Sequence, residues 1–149
     1  MSVEGPAVSA TAAQLSCGGA ADAATASELR HTLQGWLREL PQSSPEVNED
    51  IVLGVNEALA NCVEHAYHAQ DAVGTMRLQA GYDPAAQTIN VCVSDRGTWR
   101  RRVPRQPHDA RASRGIMLMQ AVADHCTIDT RADGTTVCMK YSAPRKVLT

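Results

Sequence analysis

The stretch VNEALANCVEHAY, residues 55–67, decides the fold of this chain. Its apolar residues, with one from the preceding turn, recur at spacings of three and four, which is the pattern of a helix with one buried face. These residues are Ile51, Val55, Leu59, Cys62, Val63 and Ala66. The sequence therefore predicts an amphipathic helix, from about residue 45 to residue 68, that packs on a core.

A polar stripe runs along the same helix. Glu57, Asn61 and His65 follow one another at intervals of four residues, so they stack on one face. A carboxylate, an amide and an imidazole in this arrangement provide oxygen ligands for a hard cation such as Mg²⁺, together with a proton acceptor. A solvated polar face on a surface helix is the alternative, and the helix alone leaves both interpretations open.

The size and charge of the chain limit its function. It has 149 residues, which predicts one domain, and its formal net charge is −2. That charge argues against broad binding of nucleic acid, although seven of the twelve arginines lie between Arg96 and Arg114. No apolar run is long enough to span a membrane, and the N-terminus lacks the pattern of a secretory signal. We therefore expect a cytoplasmic protein with no membrane partner and no direct nucleic-acid partner.

The cysteine pattern indicates thiols rather than disulfides. The number of cysteines is odd, no two form a C-x-x-C pair, and several occupy apolar positions. Such a pattern is typical of reduced, buried thiols in a cytosolic protein. The five residues are Cys17, Cys62, Cys92, Cys126 and Cys138.

The remaining periodicities predict an α+β fold. The predicted elements are, in order, a short edge strand near residues 12–17, helices at about 23–40 and 45–68, a hairpin over 75–93, a long loop over 97–113, a helix at 114–123 and a hairpin over 126–141. This order is typical of a two-layer sandwich, in which a mixed, mostly antiparallel sheet is covered by helices on one face. We expect a flexible segment over residues 1–20, a domain over 21–142 and a tail over 143–149.

Three further motifs lie at the ends of predicted elements. DRG at residues 95–97 follows a strand, SRGI at 113–116 begins a helix, and GTTV at 134–137 begins a strand. An aspartate at a strand end can accept a hydrogen bond from the amino group of a base, and a helix start favours phosphate. Taken singly, each motif also has a plain structural explanation, namely a turn, a simple helix N-terminus and an ordinary hairpin threonine.

In their order and spacing, the motif helix and these three motifs resemble the N, G1, G2 and G3 boxes of the histidine kinase-like (GHKL) ATPase superfamily, which includes gyrase and the sensor histidine kinases. The pattern E-A-x-x-N-x-x-x-H-A-Y, which begins at Glu57, is especially similar to the small branch of bacterial anti-sigma factors that are serine-protein kinases. The resemblance covers roughly residues 20–142. It implies the Bergerat ATP-binding fold.

The resemblance also implies a site for ATP and Mg²⁺. Glu57 would be the general base for an incoming serine hydroxyl, and Asn61 would be the metal ligand. Asp95 would accept a hydrogen bond from the adenine amino group, and residues 98–112 would form the lid over the triphosphate. The nucleotide-binding residues that the resemblance implies are Asn61, Asp95, Gly97, Ser113, Arg114, Gly115 and Thr136. The sequence departs from the family at Ser113, where a glycine is common.

The function that the resemblance implies is that of an anti-sigma factor with ATP-dependent serine-protein kinase activity. Such a protein binds a sigma factor, phosphorylates an anti-sigma factor antagonist on serine, and forms a homodimer. A non-catalytic module that sequesters a regulatory partner, with or without nucleotide, is the alternative. The ATPase half of a histidine kinase is a third interpretation, and the lack of a dimerisation helix with a phosphorylatable histidine before the domain argues against it.

Overall fold

The computed structural model describes residues 7–11, 13–69, 74–96, 110–131 and 133–143, with the backbone alone at residues 7, 9, 65–69 and 110–113. The elements are β1 Ala7–Ala10, β2 Gln14–Ala20, α1 Ala23–Glu39, α2 Pro45–Ala69, β3 Thr75–Asp83, β4 Thr88–Arg96, α3 Ala110–Val122, β5 His125–Arg131 and β6 Gly134–Ser142. None of the helices described is long and apolar enough to cross a membrane.

The strands form one sheet in the order β1-β2-β3-β4-β6-β5, with helices packed on one face. The prediction of a two-layer α+β sandwich is confirmed. The sheet differs from the prediction in one respect, since every pairing between the described strands is antiparallel and none is parallel. Each strand therefore presents alternate residues to the helices and to the outer face of the sheet.

The two long helices begin at side-chain caps. Asp22 accepts a hydrogen bond from the backbone N–H of Thr25 at 2.8 Å, which satisfies one free donor at the start of α1. At the start of α2, Pro45 occupies the first turn and the Ser44 hydroxyl accepts from the N–H of Val47 at 3.3 Å. The predicted bounds of both helices are confirmed.

The core lies between the sheet and the apolar stripe of α2. Ile51, Val55 and Leu59 are buried, as the periodicity predicted. The helix approaches β6 at Gly54, where an added Cβ would stand 2.6 Å from the hydroxyl oxygen of Tyr141. A side chain at residue 54 would therefore require the side chain of Tyr141 or the helix to shift, so the glycine permits the close packing of α2 on β6.

The sheet begins further towards the N-terminus than predicted. β2 pairs with β3 along its whole length, and β1 lies outside it as the edge strand. Both strands fall within residues 1–20, where a flexible segment with one short edge strand was predicted. Gly18 and Gly19 have no side chains, so the alternation of apolar and polar residues that predicts a strand is interrupted there. At Gly18 an added Cβ would meet the carbonyl oxygen of Met76 at 2.8 Å.

The prediction that all cysteines are reduced thiols is wrong for two of them. Cys92 of β4 and Cys138 of β6 are register partners, and a disulfide joins them. Cys17 and Cys62 are free and buried, and Cys126 is free and partly buried. The pair was missed because it is formed by strands that are neighbours in the sheet but are separated in the chain by α3 and β5.

Candidate functional site

Asp95 is the buried charged residue of the described chain, with only 5% of its surface exposed. It follows Val91 and Val93 on the face of β4 that the helices cover. Its Oδ1 accepts a hydrogen bond from the backbone N–H of Thr135 at 2.9 Å. A carboxylate at this depth requires such donors, because burial removes the water that would otherwise solvate it. The predicted adenine-binding residue is thus held in place by the start of β6.

Gly134 lets the start of β6 come this close to Asp95. Its φ is 157°, in the region that favours glycine, and an added Cβ would stand 2.0 Å from the carbonyl oxygen of Asp95. The glycine of the GTTV motif is therefore required by close backbone contact between β4 and β6. The start of β6 therefore lies directly beside the Asp95 carboxylate.

Cys62 of α2 is buried on the side of the sheet that Asp95 faces. Burial, and after it the negative charge of Asp95, raises the pKa of the Cys62 thiol far above its ordinary value. The sequence interpretation counted Cys62 only as an apolar residue of the helix. Cys62 directly follows the candidate metal ligand Asn61, and this position in the sequence could have indicated that Cys62 lies near the site.

The predicted contact of Thr136 with the base is not supported by its position. Thr136 is the register partner of Ser94, so both side chains lie on the outer face of the sheet, away from the helices. Thr135 lies on the same face as Asp95 and donates its N–H to it. The predicted alternation of Thr135 with Val137 already contained this signal.

The polar stripe of α2 lies under α3. Glu57 and Asn61 are half-buried, one helical turn apart. Gly115 of α3 is buried against Glu57, since an added Cβ would lie 2.9 Å from the carboxylate Oε1. The candidate base is thus covered by a helix that approaches it at a glycine. The side chain of His65 is outside the described residues.

The start of α3 differs from the prediction. The helix begins at Ala110, so Ser113, Arg114 and Gly115 lie inside it. Gly115 therefore does not offer the free N–H groups of a helix N-terminus, on which its predicted role with phosphate depended. The reason is local propensity, because alanine and arginine at residues 110–112 favour helix. Arg114 is exposed, and the side chain of Ser113 is outside the described residues.

Two parts of the predicted site lie outside the described residues, namely Gly97 and residues 98–109 of the lid. Within the described ranges, no group of three or more His, Cys, Asp or Glu side chains could hold a metal ion. Asn61 and Glu57 offer oxygen donors, which suit Mg²⁺ when phosphate oxygens and water supply most of its ligands. The donor set present fits a nucleotide-bound magnesium ion.

The structure has two concave surfaces. A cavity of about 960 Å³ extends over the outer face of the sheet and reaches the end of β4, where Asp95 and Gly134 are among its lining residues. A groove of about 640 Å³ lies between α1 and α2, where Arg30 donates to Asn56 at 3.1 Å. Neither is lined by Glu57 or Asn61.

A family model described as "Histidine kinase-like ATPase domain" matches residues 19–141, which is most of the chain. The chain belongs to the histidine kinase-like ATPase domain family. The match includes all four predicted boxes, so the resemblance of the sequence to this superfamily is confirmed.

Among solved structures, this histidine kinase-like ATPase domain is similar to the crystal structure of the RsbU and RsbW domains of Rv1364c from Mycobacterium tuberculosis. The TM-score is 0.69 and the sequence identity is 24%, over 89% of this chain and 33% of that chain. The chain thus spans about a third of the length of that structure, and the likeness shows a common fold. A search of curated proteins found no significant match.

Proposed function

We propose that this histidine kinase-like ATPase domain binds ATP with Mg²⁺ and acts as a cytoplasmic anti-sigma factor with serine-protein kinase activity. The observation that carries the proposal is the buried carboxylate of Asp95, held by the N–H of Thr135 at the end of β4. A buried acceptor whose surroundings are shaped by Gly134 suits the amino group of a purine. Family membership supports ATP as the ligand.

The Asp95 carboxylate suits the amino group of a base. An ionised carboxylate can accept several hydrogen bonds, one of which comes from the N–H of Thr135, and the adenine amino group would be a further donor. Asn61, one turn after Glu57, would hold Mg²⁺, which neutralises charge on the phosphates when it is bound.

Glu57 would serve as the general base. In the proposed transfer, the hydroxyl oxygen of a partner serine forms a bond to the γ-phosphorus while the bond to the leaving ADP oxygen breaks. The serine proton passes to the Glu57 carboxylate. Gly115 packs on one side of Glu57 in this structure, and the side chain is otherwise half-buried, so the serine would approach it from the side that α3 leaves exposed.

The partners follow from the pattern that begins at Glu57, which resembles the anti-sigma branch. We propose that the domain sequesters a sigma factor, and that it phosphorylates a serine of an antagonist protein. The added negative charge would release the antagonist by repulsion and desolvation at the interface. A homodimer is part of the same proposal.

The experiment has two steps. Calorimetry with Mg²⁺ and ATP should show binding by the wild type and a loss of roughly tenfold to over a hundredfold for Asp95→Ala, since a bond to a charged group is lost. Radiolabelled ATP and the antagonist co-purified from the native host then report phosphotransfer. Glu57→Gln should bind ATP normally and lose about 10²–10⁴ in rate. Glu39→Gln, an exposed glutamate at the end of α1, is the matched control.

The alternative is a binding module without kinase activity. The observation that favours it is the covering of Glu57 by α3 at Gly115. A wild type that binds ATP and a sigma factor but phosphorylates no antagonist would establish this alternative. Phosphotransfer by Glu57→Gln at the wild-type rate would instead disprove the base assignment alone.

A further inference from the structure

We propose that the disulfide between Cys92 and Cys138 is a reversible redox site that controls the affinity of the domain for nucleotide. The inference rests on the proposed binding of ATP by a cytoplasmic protein, and it adds regulation to that function. Disulfides in cytoplasmic proteins are mostly transient and redox-sensing, because the thiols of the cell reduce them. We therefore expect the bond between β4 and β6 to open and close with the supply of reductant.

The disulfide lies on the outer face of the sheet, opposite the helices. Cys92 alternates with the buried Val93, so its side chain points to the outer face, as does that of its register partner Cys138. Both cysteines are half-buried, and their other neighbours across the sheet are polar, Gln79 beside Cys92 and Thr127 beside Cys138. Cys138 also lines the cavity of about 960 Å³ on this face. A thiol in solution can therefore reach the sulfur atoms.

The three free thiols lie on the other side of the sheet. Cys17 is buried in β2, and Cys62 is buried in α2. Cys126 is the register partner of the buried Met139, so it faces the helices as well. The sheet separates these thiols from the bonded pair. Exchange with a reductant on the outer face is therefore confined to the two cysteines of the disulfide.

Reduction uses two molecules of a small thiol such as glutathione. The thiolate of the first attacks one sulfur of the pair, the S–S bond breaks, and the other cysteine leaves as a thiolate. The thiolate of the second attacks the glutathione sulfur of this mixed disulfide, so glutathione disulfide forms and the remaining cysteine is released. Two electrons pass from the glutathione thiols to the pair, and the two protons that those thiols lose are taken up by the cysteines. The same steps in reverse restore the bond.

The disulfide is close to the contact between the two strands at the nucleotide site. Cys92 is three residues before Asp95, and Cys138 is three residues after Thr135, whose N–H donates to the Asp95 carboxylate at 2.9 Å. The Cα atoms of the two cysteines are 4.1 Å apart. That separation is nearer to the spacing of a non-hydrogen-bonded antiparallel pair, about 4.5 Å, than to the 5.5 Å or so of a hydrogen-bonded pair. The covalent bond thus ties β4 to β6 at a pair without backbone hydrogen bonds.

Reduction would let the ends of these strands separate more readily. The bond joins residues that are 46 positions apart, so it excludes many of the open conformations that the reduced chain can adopt. In the reduced protein, local opening would therefore part Thr135 from Asp95 in a larger fraction of the molecules. The apparent affinity falls in proportion to the fraction that keeps the binding conformation. The oxidised form should thus bind ATP more tightly.

Calorimetry with Mg²⁺ and ATP compares the oxidised full chain with the chain reduced by glutathione. We expect the reduced protein to bind ATP about three- to tenfold more weakly, which corresponds to a binding fraction of roughly a third to a tenth. Its Tm should be lower by roughly 5–15 °C. The double variant Cys92→Ser, Cys138→Ser should bind like the reduced wild type and should not respond to glutathione. Cys126→Ser, which removes the most exposed free thiol, is the matched control and should respond like the wild type.

A redox titration makes the same test without any variant, so it holds even if the double variant fails to fold. The wild type is equilibrated in buffers of reduced and oxidised glutathione, quenched with acid and alkylated, and mass spectrometry measures the reduced fraction of the pair. A ligand that binds the oxidised form about three- to tenfold more tightly must protect the disulfide by the same factor. ATP should therefore lower the midpoint potential by about 14–30 mV for this two-electron couple.

Two results would overturn the redox control while the nucleotide site stands. They are a pair that stays oxidised at every glutathione ratio, and a reduced protein that binds ATP as tightly as the oxidised protein. A wild type that binds no ATP in either state overturns the proposed nucleotide site and its control together. The affinity of the oxidised protein thus reports on the proposed function, and the difference between the two states reports on the disulfide.

Discussion

Replacement of Gly134 by alanine tests the close contact on which the site depends. The added Cβ would stand 2.0 Å from the carbonyl oxygen of Asp95, whereas real Cβ atoms essentially never come within 3.0 Å of a non-bonded atom. The start of β6 and the end of β4 must therefore separate by about 1 Å. This shift would lengthen the hydrogen bond between the N–H of Thr135 and Asp95 from 2.9 Å to about 3.9 Å, which breaks it.

Two effects lower the free energy of unfolding of Gly134→Ala. A lost hydrogen bond to a charged group costs about 1.5–3 kcal/mol, and alanine at a φ that favours glycine costs about 1–3 kcal/mol. The two costs do not add in full, because the shift that breaks the hydrogen bond also relaxes the backbone. We therefore expect the free energy of unfolding to fall by about 3 kcal/mol. In a domain of this size that corresponds to a fall in Tm of about 6–12 °C.

Denaturant titration and calorimetry with ATP measure the two consequences. Gly134→Ala should be destabilised and should bind ATP more weakly, since Asp95 loses its backbone donor. Gly81→Ala is the matched control, because its added Cβ meets nothing nearer than 3.7 Å. If the free energies of unfolding of the two variants agree within about 0.5 kcal/mol, the reasoning from close contact is refuted.

Three further predictions concern the core and the free thiols. Leu29→Ala should lower the free energy of unfolding by about 2–5 kcal/mol, because the side chain is fully buried; a loss below about 1 kcal/mol in urea titration would contradict this. Burial raises the pKa of Cys17 from 9.0 to about 11, so the folded state holds this proton more tightly, and the resulting stabilisation is complete below pH 9 and lost as the pH rises to 11. Cys17→Ala should flatten the alkaline part of the stability curve, and an unchanged slope would argue against it. Under native conditions, mass spectrometry should find Cys126 alkylated before Cys17 and Cys62, as it is the most exposed of the three.

Much of the fold could be predicted because its patterns are local. The alternation of Met76, Leu78 and Ala80 identified a half-buried strand, and each of these residues is buried. The stripe that begins at Ile51 identified the face of α2 in the same way. A helix stripe and a strand alternation depend only on neighbours a few residues away, so they can be read without knowledge of the other elements.

The predictions that failed concern features that depend on which helices and strands pack against one another. No pattern in the sequence between β4 and β6 indicates that these strands pair, so the disulfide between Cys92 and Cys138 could not be predicted. The influence of Asp95 on Cys62 depends in the same way on how α2 packs against the sheet. The start of α3 was missed for another reason, since the helix propensity of residues 110–113 extends the helix before its predicted start.

The assignment of Thr136 rather than Thr135 to the base was made in a different way. The predicted strand placed Thr135 on the face of Val137, and the same alternation placed Asp95 on the face of Val93. The register then brings the two faces together. The chemistry expected of a threonine near the base was assigned by motif position, where strand geometry would have selected its neighbour.

The disulfide closes a covalent ring that runs from Cys92 to Cys138. Cys92 and Cys138 are separated by 46 positions, and the ring between them includes α3, β5 and the start of β6. A single cut by a protease at any peptide bond between these cysteines leaves one covalent molecule rather than two. The oxidised protein would then keep Asp95 and Thr135 tethered after such a cut, and the cut would become visible as two fragments only after reduction.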